Sequence, residues 1–325
     1  MKPRARWILV LAGCALTAGA QTPPAAPATP PANADELFKL GQQLFDQLAP
    51  AEIKAQFEFP SKEQWDAFAV RLQHALENDS LAELAAFEPE ARAALTALRT
   101  LSGYEYYADW LEQRLDEIEV AQQLTVGAPR PKIPPLPAQP VPGPAGRPPH
   151  YDLWRARVSA RPLPARAAAL MPRLRAAFTA EGVPPELAWL AEAESSLNPA
   201  ARSPVGAKGL FQFMPATAES LGLSTLLPDE RTDPEKSARA AARHLRALHG
   251  RFGDWPLALA AYNAGEGRVS RALTARRARD FAGVADALPA ETRMYVPKVC
   301  ALVAYRTGVL PEKIPPPRAG GHLSR

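Results

Sequence analysis

The chain has 325 residues, 47% of them hydrophobic, enough to bury a core and build one or two domains with linkers. Its 36 prolines exceed the usual share of about 5% but fall in clusters, which excludes a uniformly disordered protein and marks linkers instead. The formal net charge of +4 hides an acidic front, with 18 acidic and 7 basic residues over 34–120, against a basic remainder. That asymmetry reads as an anionic partner for the back part, as contact between the two parts, or as two solvated surfaces. No basic run interleaves with aromatics, so nucleic acid is excluded as a partner.

Residues 1–20 have the pattern of an export signal: Lys2, Arg4 and Arg6, then "WILVLAGCALT", then "AGA" before Gln21. The apolar run is too short to remain as a membrane span. Cleavage after Ala20 would release a soluble periplasmic protein. The alternative is "LAGC", which resembles a bacterial lipobox and would leave a lipid anchor on Cys14, as in an outer-membrane lipoprotein. Both routes put the working compartment outside the cytoplasm.

Residues 21–33, "QTPPAAPATPPAN", form an Ala/Pro tether that cannot build a core. Over 34–124 the apolar spacing is helical, as in "SKEQWDAFAVRLQHALEN" and "YEYYADWLEQRLDEIEVAQQL". This front domain holds no cluster suited to chemistry and is expected to pack, to space, or to bind a protein partner. Residues 125–150, with "PRPKIPPLPAQPVPGPAGRPP", are a semi-rigid polyproline-like linker and the clearest domain boundary. Residues 151–310 are again helical, with short Gly/Pro breaks and no alternating strand pattern, and 311–325 form a disordered tail. The fold class is therefore all-α, with the front helical segment separate from the second domain. Cys300, in the apolar "YVPKVCALVAY", is expected to be a buried structural thiol. The five histidines are scattered and no nucleotide-binding glycine loop is present, so neither a metal nor another cofactor is expected.

The densest chemical signal lies in "PPELAWLAEAESSLNPAARSPVGAKGLFQFMPATAESLGL". Pro184 and Pro185 can start a helix in which Leu187, Leu190 and Ala191 recur on one stripe. Glu194 falls on the same stripe, while Glu192 is expected to point away from it, toward solvent. A carboxyl in apolar surroundings has its charged form disfavoured and can hold a proton near neutral pH for general-acid catalysis. The competing reading is a helix-end glutamate that turns to water or pairs with an arginine. Asn198-Pro199 and Ser203-Pro204 then force turns, and Gly206 and Gly209 permit positive φ. Gln212 lies between Phe211 and Phe213, an amide beside aromatics that suits sugar hydroxyls and acetamides. Met214 could pack on a sugar ring, whereas the two phenylalanines are better read as core.

These residues resemble the first signature of the lytic transglycosylase family, whose catalytic domain is similar to goose-type lysozyme. "AAYNAGEGRV" resembles the second signature and "LPAETRMYVPKV" the third, with an Asp233-Pro234 helix start between them. The upstream "LMPRLRAAFTAEGVPPELAWL" is most similar to the membrane-bound lytic transglycosylase D branch. The resemblance implies a lysozyme-like helical domain over 151–310 acting on peptidoglycan glycan strands, with Glu194 as the single catalytic acid/base. It also implies that Ser195 and Ser203 lie beside Glu194, and that Gln212 and Met214 line a glycan groove. Tyr262 would hydrogen-bond near the Glu194 carboxyl, Asn263 would shape the site, and Glu291 would support it from the last helix. The "FQF" and "AGEG" stretches depart modestly from the family pattern. The reaction implied is cleavage between N-acetylmuramic acid and N-acetylglucosamine with closure of a 1,6-anhydro ring. The alternatives are a hydrolytic goose-type muramidase and a non-catalytic wall-binding scaffold.

Overall fold

The computed structural model describes residues 81–88, 91–92, 95, 105–126 and 147–318, apart from 204 and 205. The expected signal with Cys14, the tether, most of the front segment, most of the proline-rich linker and the end of the tail lie outside the described residues. The start of the tail is not disordered as expected, because Ile314 is buried in the core and Trp255 donates to Pro315 O at 2.9 Å. Among the described residues the chain is helical, and its extended pairing is confined to two isolated antiparallel bridges, Arg202 with Lys208 and Lys208 with Phe213. The all-α expectation holds.

Two helices belong to the front segment: α1 (Leu81–Ala85) and α2 (Glu105–Val126). The second part begins with α3 (Tyr151–Ser159) and α4 (Ala167–Ala180). A 3-10 turn (Pro185–Trp189) then leads directly into the short α5 (Leu190–Ser195). After an irregular loop come α6 (Pro215–Ser220), α7 (Pro234–Phe252), α8 (Trp255–Ala264), α9 (Glu266–Arg276) and α10 (Ala290–Thr307).

Local rules account for the starts of the central helices. Asp233 caps α7 by accepting from the backbone N–H groups of Glu235 and Lys236 at 2.9 Å, and Pro234 takes the first helical position, where it has no donor to lose. Asp254 caps α8 by accepting from Leu257 N at 3.0 Å. Helix α8 is apolar all round, and every residue from Trp255 to Ala261 is buried, as expected for a central helix enclosed by others. It lies against α7, α9 and α10, and one continuous core joins these helices to α3, α4 and α5. Cys300 is buried in that core on α10 with a free thiol, as its apolar sequence context predicts.

The front segment is separate along the chain but not in space. Val120 of α2 enters the main core, while Leu111, Leu115, Ile118 and Ala121, on another face of α2, pack with Leu84, Ala91 and Ala290, the first residue of α10. Helix α2 therefore carries two buried faces, one toward its own segment and one toward the helices that hold Glu194.

Candidate active site

Helix α5 is short because it must deliver one side chain and then turn. Its C-terminal residues leave right-handed space at once: Ser196 has φ 52° and Leu197 φ 59°, an uncommon pair of non-glycine left-handed residues. Leu197 is fully buried, and its N–H bonds to Ala191 O at 3.3 Å, so packing and a closing hydrogen bond hold the turn.

The two acids of α5 occupy places other than those expected from an uninterrupted helix. Glu192 does not face solvent: it is 3% exposed and forms a two-point ion pair with Arg306 of α10, at 2.6 and 2.9 Å. Helix α10 packs against that side of α5, and Arg306 on it buries and neutralises the carboxylate. Glu194 keeps partial exposure, while apolar neighbours Leu190, Ala191 and Ala193 are buried beside it.

The Glu194 carboxyl accepts a hydrogen bond from the Tyr295 hydroxyl at 2.5 Å. Among the described residues it has no ion-pair partner, whereas the acids around it do. Glu192 pairs with Arg306, Glu291 with Arg114 at 2.7 Å, and Glu117 with Lys298 at 3.0 Å. Burial pushes the Glu194 carboxyl up to about 7; the Tyr295 hydrogen bond and the cations Arg114 and Lys298 oppose the shift, and the Glu291 carboxylate adds to it. Burial, with the nearby Glu194 charge, holds both Tyr295 and Tyr262 well above the ordinary phenol range, so both remain protonated donors.

The hydrogen bond expected from Tyr262 is thus supplied by Tyr295. Tyr262, on α8, donates instead to Phe211 O at 2.9 Å. Ser195 is buried, and its hydroxyl lies 3.0 Å from both Ala191 O and Leu210 O. Ser195, from the helix that carries Glu194, and Tyr262 therefore hold the successive carbonyls of Leu210 and Phe211. Phe211 and Phe213 are buried, as the core reading required.

The remaining predicted residues build that loop and its far wall. Ser203 closes a turn: its N–H donates to Ala207 O, and its hydroxyl oxygen accepts from Ala207 N, both at 2.9 Å. The Gln212 amide donates to Gly209 O at 2.8 Å from a residue with φ 46°, so it braces the loop backbone. Gly206 and Gly209 both have positive φ; a Cβ at Gly209 would sit 1.9 Å from Arg231 O, which makes glycine obligatory there. Met214 is 42% exposed at the entry to α6. Asn263 accepts from the Thr292 hydroxyl at 2.7 Å and lies 3.5 Å from Glu291, tying α8 to α10.

Several functional candidates were not singled out in the sequence. Arg231, 4% exposed, donates to Gly206 O at 3.0 Å and Phe213 O at 3.1 Å while bound to Asp229, which also pairs with Lys208. Tyr295 lies inside the third signature, and Glu291, Tyr295 and Lys298 recur at i, i+4 and i+7, the spacing of one helix face. That spacing was available as a signal. Arg114 and Gln113 belong to α2, and nothing local to them points toward Glu194.

An all-helical scaffold that holds one unpaired carboxyl near neutrality, with a phenol on it and a braced loop beside it, has the make-up of a general-acid site. Residues 174–284 match the family model described as the Transglycosylase SLT domain. Over this part the chain is similar to lytic transglycosylases. It is 42% identical over 126 residues to the membrane-bound lytic murein transglycosylase D of Escherichia coli K12, a match covering 37% of this chain and 27% of that protein. It is 38% identical over 126 residues to the soluble lytic murein transglycosylase of the same strain, covering 36% and 19% respectively. The chain thus spans about a quarter or less of the length of these curated relatives. Among solved structures, the 70 kDa soluble lytic transglycosylase of Escherichia coli is similar at 23% identity and a TM-score of 0.41, covering 87% of this chain and 46% of that one.

Proposed function

We propose that this protein is a peptidoglycan lytic transglycosylase, exported through residues 1–20, that uses Glu194 as its single acid and base. The observation that carries the reading is the Glu194 carboxyl: partly open, unpaired among the described residues, pushed up to about 7 by burial, and set in a domain matching the SLT family. The matched relatives are named as murein transglycosylases, which supports the same substrate here.

In this reading Glu194 donates its proton to the oxygen linking N-acetylmuramic acid to N-acetylglucosamine as the bond from the anomeric carbon to that oxygen breaks. The muramyl 2-acetamido oxygen stabilises the positive charge that develops at the anomeric carbon. Glu194, now a carboxylate, takes the proton of the sugar's own 6-hydroxyl as that oxygen bonds to the anomeric carbon. The ring closes as a 1,6-anhydro sugar, the acetamido group is released, and Glu194 regains its proton; no water is consumed. Glycosidases that use two carboxylates need the second as a nucleophile or as the base for a water. The acids around Glu194 are instead each held in an ion pair, Glu291 by Arg114. Met214 and the loop held by Ser195, Gln212 and Tyr262 would contact the glycan, with Asn263 and Glu291 holding the α8–α10 wall.

The test is mass spectrometry of purified sacculi digested with the mature protein. Anhydro ends support the reading; reducing ends, heavier by one water, would show a muramidase instead. Glu194→Gln is expected to keep the fold and lose cleavage by several orders of magnitude, since a positioned acid alone supplies roughly 10²–10⁴-fold and here serves twice. Near-normal turnover by that variant removes Glu194 from the chemistry.

A further inference from the structure

We propose that helix α2, from the front segment, is a working part of the active site, with Arg114 and Gln113 as positioning residues for Glu194. This rests on Glu194 being the acid of the proposed function, and it assigns a role to a segment that lies outside the SLT match.

The contact is built at several points on one side of α2. Gln113 meets the exit of α5. In the amide orientation that satisfies both ends, its nitrogen donates to Ala193 O at 2.9 Å and Glu194 O at 3.1 Å, while its oxygen accepts from Ser196 N at 3.1 Å and Ser196 Oγ at 3.0 Å. The two carbonyls are loose ends of a helix C-terminus, which a short helix with a left-handed cap leaves for others to satisfy, whereas Ser196 N also donates to Glu192 O at 2.9 Å. Gln113 is 8% exposed, so its four hydrogen-bonding positions are used in a buried place where a lost partner is costly.

One residue further, Arg114 bridges Glu117 on its own helix at 2.9 Å and Glu291 on α10 at 2.7 Å. Glu117 in turn forms an ion pair with Lys298, and these side chains are only 2% and 1% exposed. Lys298 also lies 5.7 Å from the centre of the Trp154 ring on α3. A buried ammonium demands a partner, and here that partner comes from α2. Asp116 continues the row, pairing with Arg157 of α3 at 2.9 Å. The opposite charges of the front and back parts are used, at least along this face, on one another.

The groups around the Glu194 carboxyl are Tyr295, Lys298 and Glu291 on α10, Tyr262 on α8, and Arg114 on α2. Of these, only Arg114 reaches in from outside the second domain. Its charge favours the carboxylate that must form after the proton is given up, and its bridge keeps Glu291 from acting as a free second carboxylate beside Glu194.

The experiment uses the full chain, with Arg114→Gln, Arg114→Lys and Gln113→Ala compared by circular dichroism, by kcat and KM on sacculi, and by ¹³C NMR titration of labelled glutamate carboxyls. The Glu194 signal is assigned by its loss in Glu194→Gln. Arg114→Gln is expected to raise the Glu194 midpoint by about one pH unit and lower kcat about ten-fold, with Arg114→Lys recovering most of the midpoint. Gln113→Ala is expected to lower kcat severalfold with KM and the midpoint unchanged. Folded Arg114→Gln and Gln113→Ala with wild-type kcat and midpoint overturn the proposal. Should Arg114→Gln fail to fold, an unchanged kcat in Gln113→Ala overturns it and a reduced one supports it. If wild-type protein does not cleave sacculi, the proposed function fails while the NMR midpoints still decide the role of Arg114.

Discussion

At Glu194 burial and charge pull in opposite directions. Apolar surroundings favour the protonated acid; the Tyr295 hydroxyl and two cations favour the carboxylate, and the balance falls near neutrality. In the proposed mechanism, where Glu194 donates a proton and then takes one back, such a balance serves both steps. The proton-donating form declines above pH 7, so kcat/KM is expected to fall on the alkaline side with a midpoint near that value. Tyr295→Phe removes the direct hydrogen bond, so it should move this midpoint upward and lower kcat by about 10–100-fold. Tyr262→Phe only releases the Phe211 carbonyl and should cost severalfold at constant midpoint. A larger effect at Tyr262 than at Tyr295 in a parallel pH–rate series would reverse these assignments. Glu194 was legible in the sequence as a candidate acid, from an apolar stripe ending in a carboxylate and from the signature around it. The choice of Tyr295 as its phenol donor was not: the spacing of Glu291, Tyr295 and Lys298 marks one face of α10, but only packing across 101 residues selects Tyr295 over Tyr262.

Short elements in this fold are held by partners more than by their own hydrogen bonds. Helix α5 has six residues, too few to be stable alone, and is fastened by Glu192–Arg306 on one side, Ser195 on another and Gln113 at its end. Both members of the Glu192–Arg306 pair are nearly inaccessible, with side chains 4% and 7% exposed. Glu192→Ala would strand a buried guanidinium and is expected to cost about 3–5 kcal/mol in urea unfolding. A loss below about 1 kcal/mol would mean that the Pro162 carbonyl, 2.9 Å from Arg306, compensates on its own. The cap of α7 at Asp233 was readable because capping is decided within three residues. The burial of Glu192 was not, because the helix that covers it and its partner Arg306 lie 114 residues further along the chain.

For the whole molecule, the raised Glu194 pKa links folding to pH. The folded carboxyl, at about 7, holds its proton more tightly than the same group unfolded, near its ordinary 4.5. Its contribution is therefore favourable below about 4.5 and is lost as pH rises through 7. Glu194→Gln should match wild type in Tm at pH 4 and exceed it by a few degrees at pH 8. A Tm difference that does not change with pH would mean that the carboxyl is no more burdened in the folded state than in the unfolded one. The same scale includes the join between the two parts of the chain, where Glu117 and Lys298, 181 residues apart, form a fully buried pair.

The amino-acid sequence alone determined the helical class, the linker composition, the cap residues and the signatures around Glu194, since each depends on neighbours within one or two turns. Tertiary structure decided which tyrosine reaches the acid, which acids are neutralised by arginine or lysine, and that α2 lies against the helices of the site. Those outcomes depend on desolvation and charge pairing between distant segments, and a side chain's periodicity records which face it occupies but not what will be packed against that face.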